Sequence, residues 1–231
     1  MEQKQCVGII LAIELDAILE LYPNCRELSA PVGFKLYTVE KEHCDIFILR
    51  SGMGEIAAAA GVQYLISRCG VSAIINFGVV GGLSHEMKLH KICLVEQVVH
   101  YKFDCSEFME LAVGQVDGHD SIYLRTDRAL FDKARALAPE LPAVTCCSGD
   151  KFVATESEKL YLNETFGGDI CDMESAGIVL ACEMNAVPCL LFKAVSDGLS
   201  DGAEGFYNEL QTASLRCLKA ADSIIDSLYT E

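Results

Sequence analysis

Residues 168–201 read GDICDMESAGIVLACEMNAVPCLLFKAVSDGLSD, and the fold is decided there. Residues 168–171 form a short extended segment that runs into Asp172-Met173-Glu174. From 173 to 185 the composition is Ala, Ile, Leu, Met and Glu, which favours helix, and the near absence of a polar face marks a helix buried on most sides. Pro188 then opens 189–195, an apolar run of strand length ending at Ser196-Asp197. A strand, a crossover helix and a strand imply a right-handed parallel unit. Ligands of open α/β sheets bind beyond the carboxyl ends of strands. Glu174 and Asp197 are therefore expected together, in a site with two carboxylates.

Working outward, 6–13 is a continuous apolar run, as in a parallel strand buried on both faces, with Glu14 and Asp16 at its end. Residues 32–39 and 44–49 read as paired strands. Ser51-Gly52-Met53-Gly54 leads into an Ala-rich helix over 55–68. A buried strand at 73–77 is followed by Gly78-Val79-Val80-Gly81-Gly82, where glycines let backbone amides come close to a ligand. A strand at 91–99 precedes an irregular stretch, 100–119, carrying Tyr101, Phe103, Phe108 and Met109. Aromatics on so long a connection suggest a lid or a partner surface. A helix over 126–138 follows, with Thr126 or Asp127 as its cap. Next come a strand at 143–147, a helix at 155–163 stopped by Gly167-Gly168, and a final helix over 206–228. With no repeat, linker or low-complexity segment, residues 1–231 are expected to form a single domain. The expected architecture is a three-layer α/β fold with a central mixed, largely parallel sheet flanked by helices.

Composition narrows the function. A chain of 231 residues, 51% hydrophobic, can bury one large core, and no apolar run is long enough to span a membrane. Lys4 before about eight apolar residues mimics a leader. No small-residue cleavage site follows, however, so a first buried strand and a cytoplasmic protein are expected. The net charge of −16 argues against nucleic acid and against anionic membranes as partners. Twelve Cys contain no C-x-x-C and five His form no i, i+4 pair, so no metal site is expected. Gly52 to Ala57 has the spacing of a dinucleotide fingerprint. The acidic partner about 20 residues further on is missing, so the stretch reads as a tight turn and no cofactor is expected. Neither G-x-x-x-x-G-K-[ST] nor G-x-S-x-G is present.

Six segments together carry a resemblance: A-I-E-L-D at 12–16, S-G-M-G at 51–54, I-N-F-G-V-V-G-G at 75–82, S-G-D-K-F-V at 148–153, D-M-E-S-A-G at 172–177 and K-A-V-S-D at 193–197. Over nearly the whole chain the sequence resembles the nucleoside phosphorylase superfamily, and within it the bacterial 5′-methylthioadenosine/S-adenosylhomocysteine nucleosidases. The resemblance implies a homodimer acting on a purine nucleoside without a cofactor. It implies that Asp197, beside Ser196, is the general acid towards the base and that Glu174 holds the ribose hydroxyls. Phe152 would stack on the base, Val153 would offer backbone contacts, and Met173 would pack under the sugar. Gly81 belongs to the glycine-rich wall. Elementary chemistry suits these roles: a carboxylate stabilises the positive charge that develops on ribose, and an acid lets the purine leave.

Where the family holds its attacking water with a glutamate, a serine and an arginine, the matching positions here are Asp16, Val79 and Lys193. A register placing Glu14 inward instead of Asp16 stays open. Phosphorolysis is a second reading, although Asn76 lies where the phosphorylases carry an arginine. A non-catalytic nucleoside-binding protein is a third.

Overall fold

The structure, a computed structural model, describes residues 5–228. Lys4, on which the leader-like reading rests, lies outside the described residues. In chain order the elements are β1 (Gln5–Leu11), α1 (Leu15–Leu21), β2 (Arg26–Leu28), β3 (Lys35–Glu40), β4 (Cys44–Arg50) and α2 (Glu55–Tyr64). They continue with β5 (Ala73–Gly82), β6 (Ile92–His100), β7 (Tyr123–Arg125), α3 (Arg128–Leu137), β8 (Ala143–Ser148) and α4 (Glu156–Phe166). The last four are β9 (Ile170–Asp172), α5 (Ser175–Met184), β10 (Cys189–Asp197) and α6 (Gly202–Leu228). A π-helical turn, Leu65–Cys69, extends α2 and closes on Gly70 in the left-handed region. Among the described residues no helix is long and apolar enough to cross a membrane.

Strands β2, β3, β4, β1 and β5 lie side by side in that order. On its far edge β5 pairs with β10, and from there β6, β8 and β9 lead back to β5 at Gly81 and Gly82. One end of the sheet thus closes into a ring. β5 can serve both parts because it is long: residues 73–76 pair with β1, and its last two residues pair with β9. The sheet is mixed as expected, with five parallel and five antiparallel pairings among the described residues.

The two strands of 168–201 are not neighbours. β9 is antiparallel to β5, whereas β10 is parallel to it, so β9 and β10 run in opposite directions with β5 between them. The expected parallel unit is therefore corrected. Apolar runs report burial, and they do not report which strand lies alongside. Helix α5 packs against α2 rather than simply crossing back. A Cβ on its Gly177 would sit 2.5 Å from the Glu55 carbonyl, so only glycine permits this approach.

Alternating strand residues feed two cores. Ile9, Leu11, Ile48 and Phe77 pack with α1, α3 and α6 on one face, and Ile10, Leu49, Ile74 and Leu191 pack with α2 and α5 on the other. These are the three layers. Each fully buried Ile or Leu contributes ~1.5–3 kcal/mol before entropy is counted. None of the twelve cysteines is in a disulfide, and most are buried. Of the two cap candidates for α3 it is Asp127 that accepts from Leu130 N, at 2.8 Å; Thr155 caps α4 by accepting from Glu158 N, and Gly167 ends that helix in the left-handed region as expected.

Candidate active site

A cavity of about 330 Å³ opens where the ring meets the open sheet. Its walls include Glu14, Val79, Gly81, Phe152, Val153, Asp172, Met173, Glu174 and Asp197, so most of the expected site residues converge. The level is set by Gly81, which pairs with Cys171 of β9 on one edge and Asp197 of β10 on the other. A Cβ there would stand 3.0 Å from Cys171 Sγ and 3.2 Å from Asp197 Oδ2.

Asp16 is corrected. It lies exposed in the first turn of α1, outside the cavity, and the inward carboxylate is Glu14. Two residues along a helix turn a side chain by about 200°. Ala17 and Ile18 anchor α1 in the core, which leaves Asp16 towards solvent. Glu14 is buried and accepts from Ala12 N at 3.1 Å, Ile13 N at 2.9 Å and Val79 N at 3.2 Å. The Val79 side chain has no hydroxyl, but its backbone N–H steadies the carboxylate.

Behind this wall is a second, water-sized space of about 10 Å³, lined by Glu14, Ser51, Asn76, Gly78, Val79, Glu174 and Lys193. Glu14 Oε1 and Lys193 Nζ lie 3.1 and 3.7 Å from the point a Cβ would occupy on Gly78. A side chain at 78 would fill the gap between them. Asn76 is buried, with Nδ2 donating to Ile10 O at 2.9 Å, while its Oδ1 has no partner among the described residues.

Lys193 does not line the larger cavity. Its Nζ donates to Asp172 Oδ2 at 2.7 Å, and both side chains are almost wholly buried. Burial alone would raise the Asp172 carboxyl, but the Lys193 ammonium outweighs it and holds the group below its ordinary range. Burial would lower Lys193 in turn, and Asp172 raises it. Asp172 also accepts from Ser175 Oγ and Ser175 N, which fixes the start of α5. Glu174 is held less firmly. Its Oε1 accepts from Gly54 N at 2.8 Å, and burial, followed by the charge on Asp172, pushes it up to about 7. The Gly52-Met53-Gly54 turn is explained here. Gly54 stands at φ +96°, its amide serves Glu174, and the Glu55 amide serves Asp150 at 2.8 Å.

Asp197 is buried on the cavity's other side. Ser196 stands behind the cavity wall, its Oγ donating to Asp197 Oδ1 at 3.0 Å. Lys159 Nζ donates to Asp197 Oδ2 at 2.6 Å and to Gly198 O at 2.6 Å. Burial raises the Asp197 carboxyl, and the Lys159 ammonium only partly offsets this. Phe152 meets Phe206 edge-on, with ring centroids 5.4 Å apart. With Met53, Tyr207 and Ala203 they complete an apolar wall. Three groups were missed from the sequence: Asp172, Lys159 and the aromatic start of α6. The first was visible as an acid two residues before Glu174. The second was visible as a lysine at apolar spacing with Leu162 and Phe166.

A family model described as the phosphorylase superfamily matches residues 7–229. An aminodeoxyfutalosine nucleosidase of Campylobacter jejuni is 26% identical over 200 residues, covering 85% of this chain and 86% of its own. A 5′-methylthioadenosine/S-adenosylhomocysteine nucleosidase of Hydrogenovibrio crunogenus is 31% identical over 199 residues, covering 83% and 84%. Among solved structures, the Helicobacter pylori 5′-methylthioadenosine/S-adenosylhomocysteine nucleosidase with butyl-thio-DADMe-Immucillin-A superposes with a TM-score of 0.90. That match has 25% identity and covers 98% of this chain and all of the other, 100%.

Proposed function

The chain belongs to the phosphorylase superfamily, and from that premise we propose that it is a nucleosidase hydrolysing the N-glycosidic bond of a 5′-modified adenine nucleoside. The proposed substrate is of the methylthioadenosine or adenosylhomocysteine type, and free adenine is released. The observation that carries this reading is the placement of Glu14 and Asp197 in one cavity, at different levels of β5. Glu14 sits at Gly78–Val79 and Asp197 at Gly81. Three residues of strand span roughly 10 Å, which leaves room for a ribose between an acid on the base side and a base on the water side.

In this reading Asp197 gives a proton to the purine as the C–N bond's electron pair moves onto the ring. The raised carboxyl suits an acid. Glu174, between the two, accepts from the ribose hydroxyls and faces the positive charge that develops on the sugar. Glu14 takes a proton from the attacking water, which the small polar space beside Asn76 and Gly78 is shaped to hold. Phe152 covers the base and Met173 the sugar.

Water is favoured over phosphate by charge. Among the cavity-lining residues are four carboxylates, Glu14, Asp172, Glu174 and Asp197, and one lysine, Lys151, which is itself paired with Glu158. Asp172 and Asp197 are each paired with a buried lysine, whereas Glu14 and Glu174 have none in hydrogen-bonding contact among the described residues, so an anionic nucleophile would meet repulsion there, and phosphate recognition calls for several cations. The Campylobacter jejuni relative supports a second substrate class, aminodeoxyfutalosine. Release of free adenine from methylthioadenosine, adenosylhomocysteine and aminodeoxyfutalosine, each with and without phosphate, tests the proposal. Turnover that depends on phosphate would mean a phosphorylase. Tight binding without turnover would mean a binding protein.

A further inference from the structure

Helix α4 turns a buried stripe towards the ring of the sheet, and Lys159, Leu162 and Phe166 occupy it at i, i+3 and i+7. Leu162 and Phe166 pack with Val153, Cys147 and Cys171, as such a stripe should. Lys159 is an ammonium at an apolar position, with no exposed surface. Taking that charge out of water is costly, and a leucine or methionine would fill the stripe without the cost. The lysine is therefore not explained by packing. Its two hydrogen bonds, both 2.6 Å, go to Asp197 Oδ2 and to the carbonyl of the next residue, Gly198.

We propose that Lys159 is the positioning residue for Asp197, fixing its carboxylate on the cavity wall and setting the pH at which it passes on a proton. The inference rests on the reading of Asp197 as the acid of the proposed hydrolysis. Lys159 does not line the cavity, so it acts through Asp197 alone. Together with Ser196 it takes one lone pair on each carboxylate oxygen, which removes the side chain's freedom to rotate. The other groups that bear on Asp197 cannot replace it. Cys171 of β9 is a buried thiol held in its neutral form, and Asp201, in the turn after β10, is a like charge. Ser196 also favours the ionised acid through its hydrogen bond, but of these groups Lys159 alone brings a positive charge. It counteracts the upward push of burial, which would otherwise leave the carboxyl too weak an acid to give its proton readily.

The test is the pH profile of kcat/KM for adenine release in Lys159→Met, Lys159→Gln and Lys159→Arg. Losing the ammonium removes what stabilises the ionised carboxylate. The alkaline limb, where the protonated acid is lost, should then move to higher pH by about one to three units in Met and Gln. Arg keeps the charge and should keep the limb near its wild-type position. Methionine suits the apolar stripe, and Gln retains a donor for Gly198 O if Met fails to fold. A lysine that merely ties α4 to β10 would change the melting temperature and leave the limb unmoved, and that result overturns the proposal. Asp197→Asn separates the two readings. If it leaves turnover intact, the acid assignment itself fails. If it abolishes turnover while the Met and Gln limbs stay put, only the role of Lys159 is lost.

Discussion

Replacing Glu174 by Gln should make the protein more stable, and increasingly so as pH rises. Burial and the neighbouring Asp172 charge push the Glu174 carboxyl from 4.5 to about 7, so the folded state holds a proton that the unfolded chain releases. A group whose folded value is raised costs stability once it must ionise, and stability falls as pH rises through the window from about 4.5 to about 7. Linkage across those two values gives a cost of ~3 kcal/mol at pH 8.5 and ~1.5 kcal/mol at pH 5.5. Gln keeps an acceptor for Gly54 N and has nothing to titrate. The stability difference between variant and parent should therefore grow by ~2 kcal/mol between these pH values. For a chain of this size that is a melting-temperature difference of about 4–8 °C. Urea unfolding of both proteins at each pH and fixed ionic strength measures it, and groups common to both cancel in the subtraction. A difference that stays flat with pH, or shrinks as pH rises, would refute the account of Glu174 as a poorly compensated carboxylate.

Three further outcomes are expected. Asp197→Asn should lower kcat by ~10²-fold or more, since it removes a general acid, while equilibrium binding of nucleoside changes little. A variant keeping a tenth of the parent rate would exclude the role. Glu14→Gln should abolish hydrolysis and Asp16→Asn should leave it within about twofold, because only Glu14 reaches the cavity; kcat/KM for both decides it, and the reverse order would show the placement to be wrong. Phe108, Met53 and Ile56 expose large apolar surface, which fits a homodimer. Sedimentation at micromolar concentration should give twice the chain mass, and a monomer there would count against it.

Much of this was legible in the sequence because it depends on local chemistry. Asp127 stands at an N-cap, Gly167 ends a helix, and the buried strands show as unbroken apolar runs. The short strands β2 and β7 were not visible, since three residues are too few for alternation to register. The direction of β9 was hidden for a different reason. Its partners, β8 and the glycine end of β5, lie more than 20 and more than 80 residues away, and nothing in Ile170–Asp172 names them. Among site residues, Glu174, Phe152, Val153, Met173, Gly81 and Asp197 line one cavity. Asp16 failed because a motif fixes spacing along the chain and not the angle at which a helix starts. Val79 lines the cavity without a polar side chain and supplies its backbone amide to Glu14. A side-chain reading misses that a residue without a polar side chain still supplies an amide.

The wall of four carboxylates raises the question of how they avoid expelling one another, and the answer fits the roles proposed for them. Each of the two buried lysines takes one acid: Lys193 is committed to Asp172 and Lys159 to Asp197. Asp172, held ionised by Lys193 and fixed by Ser175, is the least able to exchange a proton and serves as scaffold. Glu14 has no lysine in hydrogen-bonding contact among the described residues, and instead accepts from three backbone amides, which hold a carboxylate in place while leaving lone pairs for a water proton. Glu174 has one amide, and burial followed by the Asp172 charge leaves it poorly compensated, so under the proposed reading it gains from a cationic sugar forming beside it. In the proposed hydrolysis a positive charge develops on the ribose beside these carboxylates as the C–N bond breaks. Preorganised negative charge of that kind lowers the barrier to bond cleavage more than it strengthens binding of a neutral nucleoside.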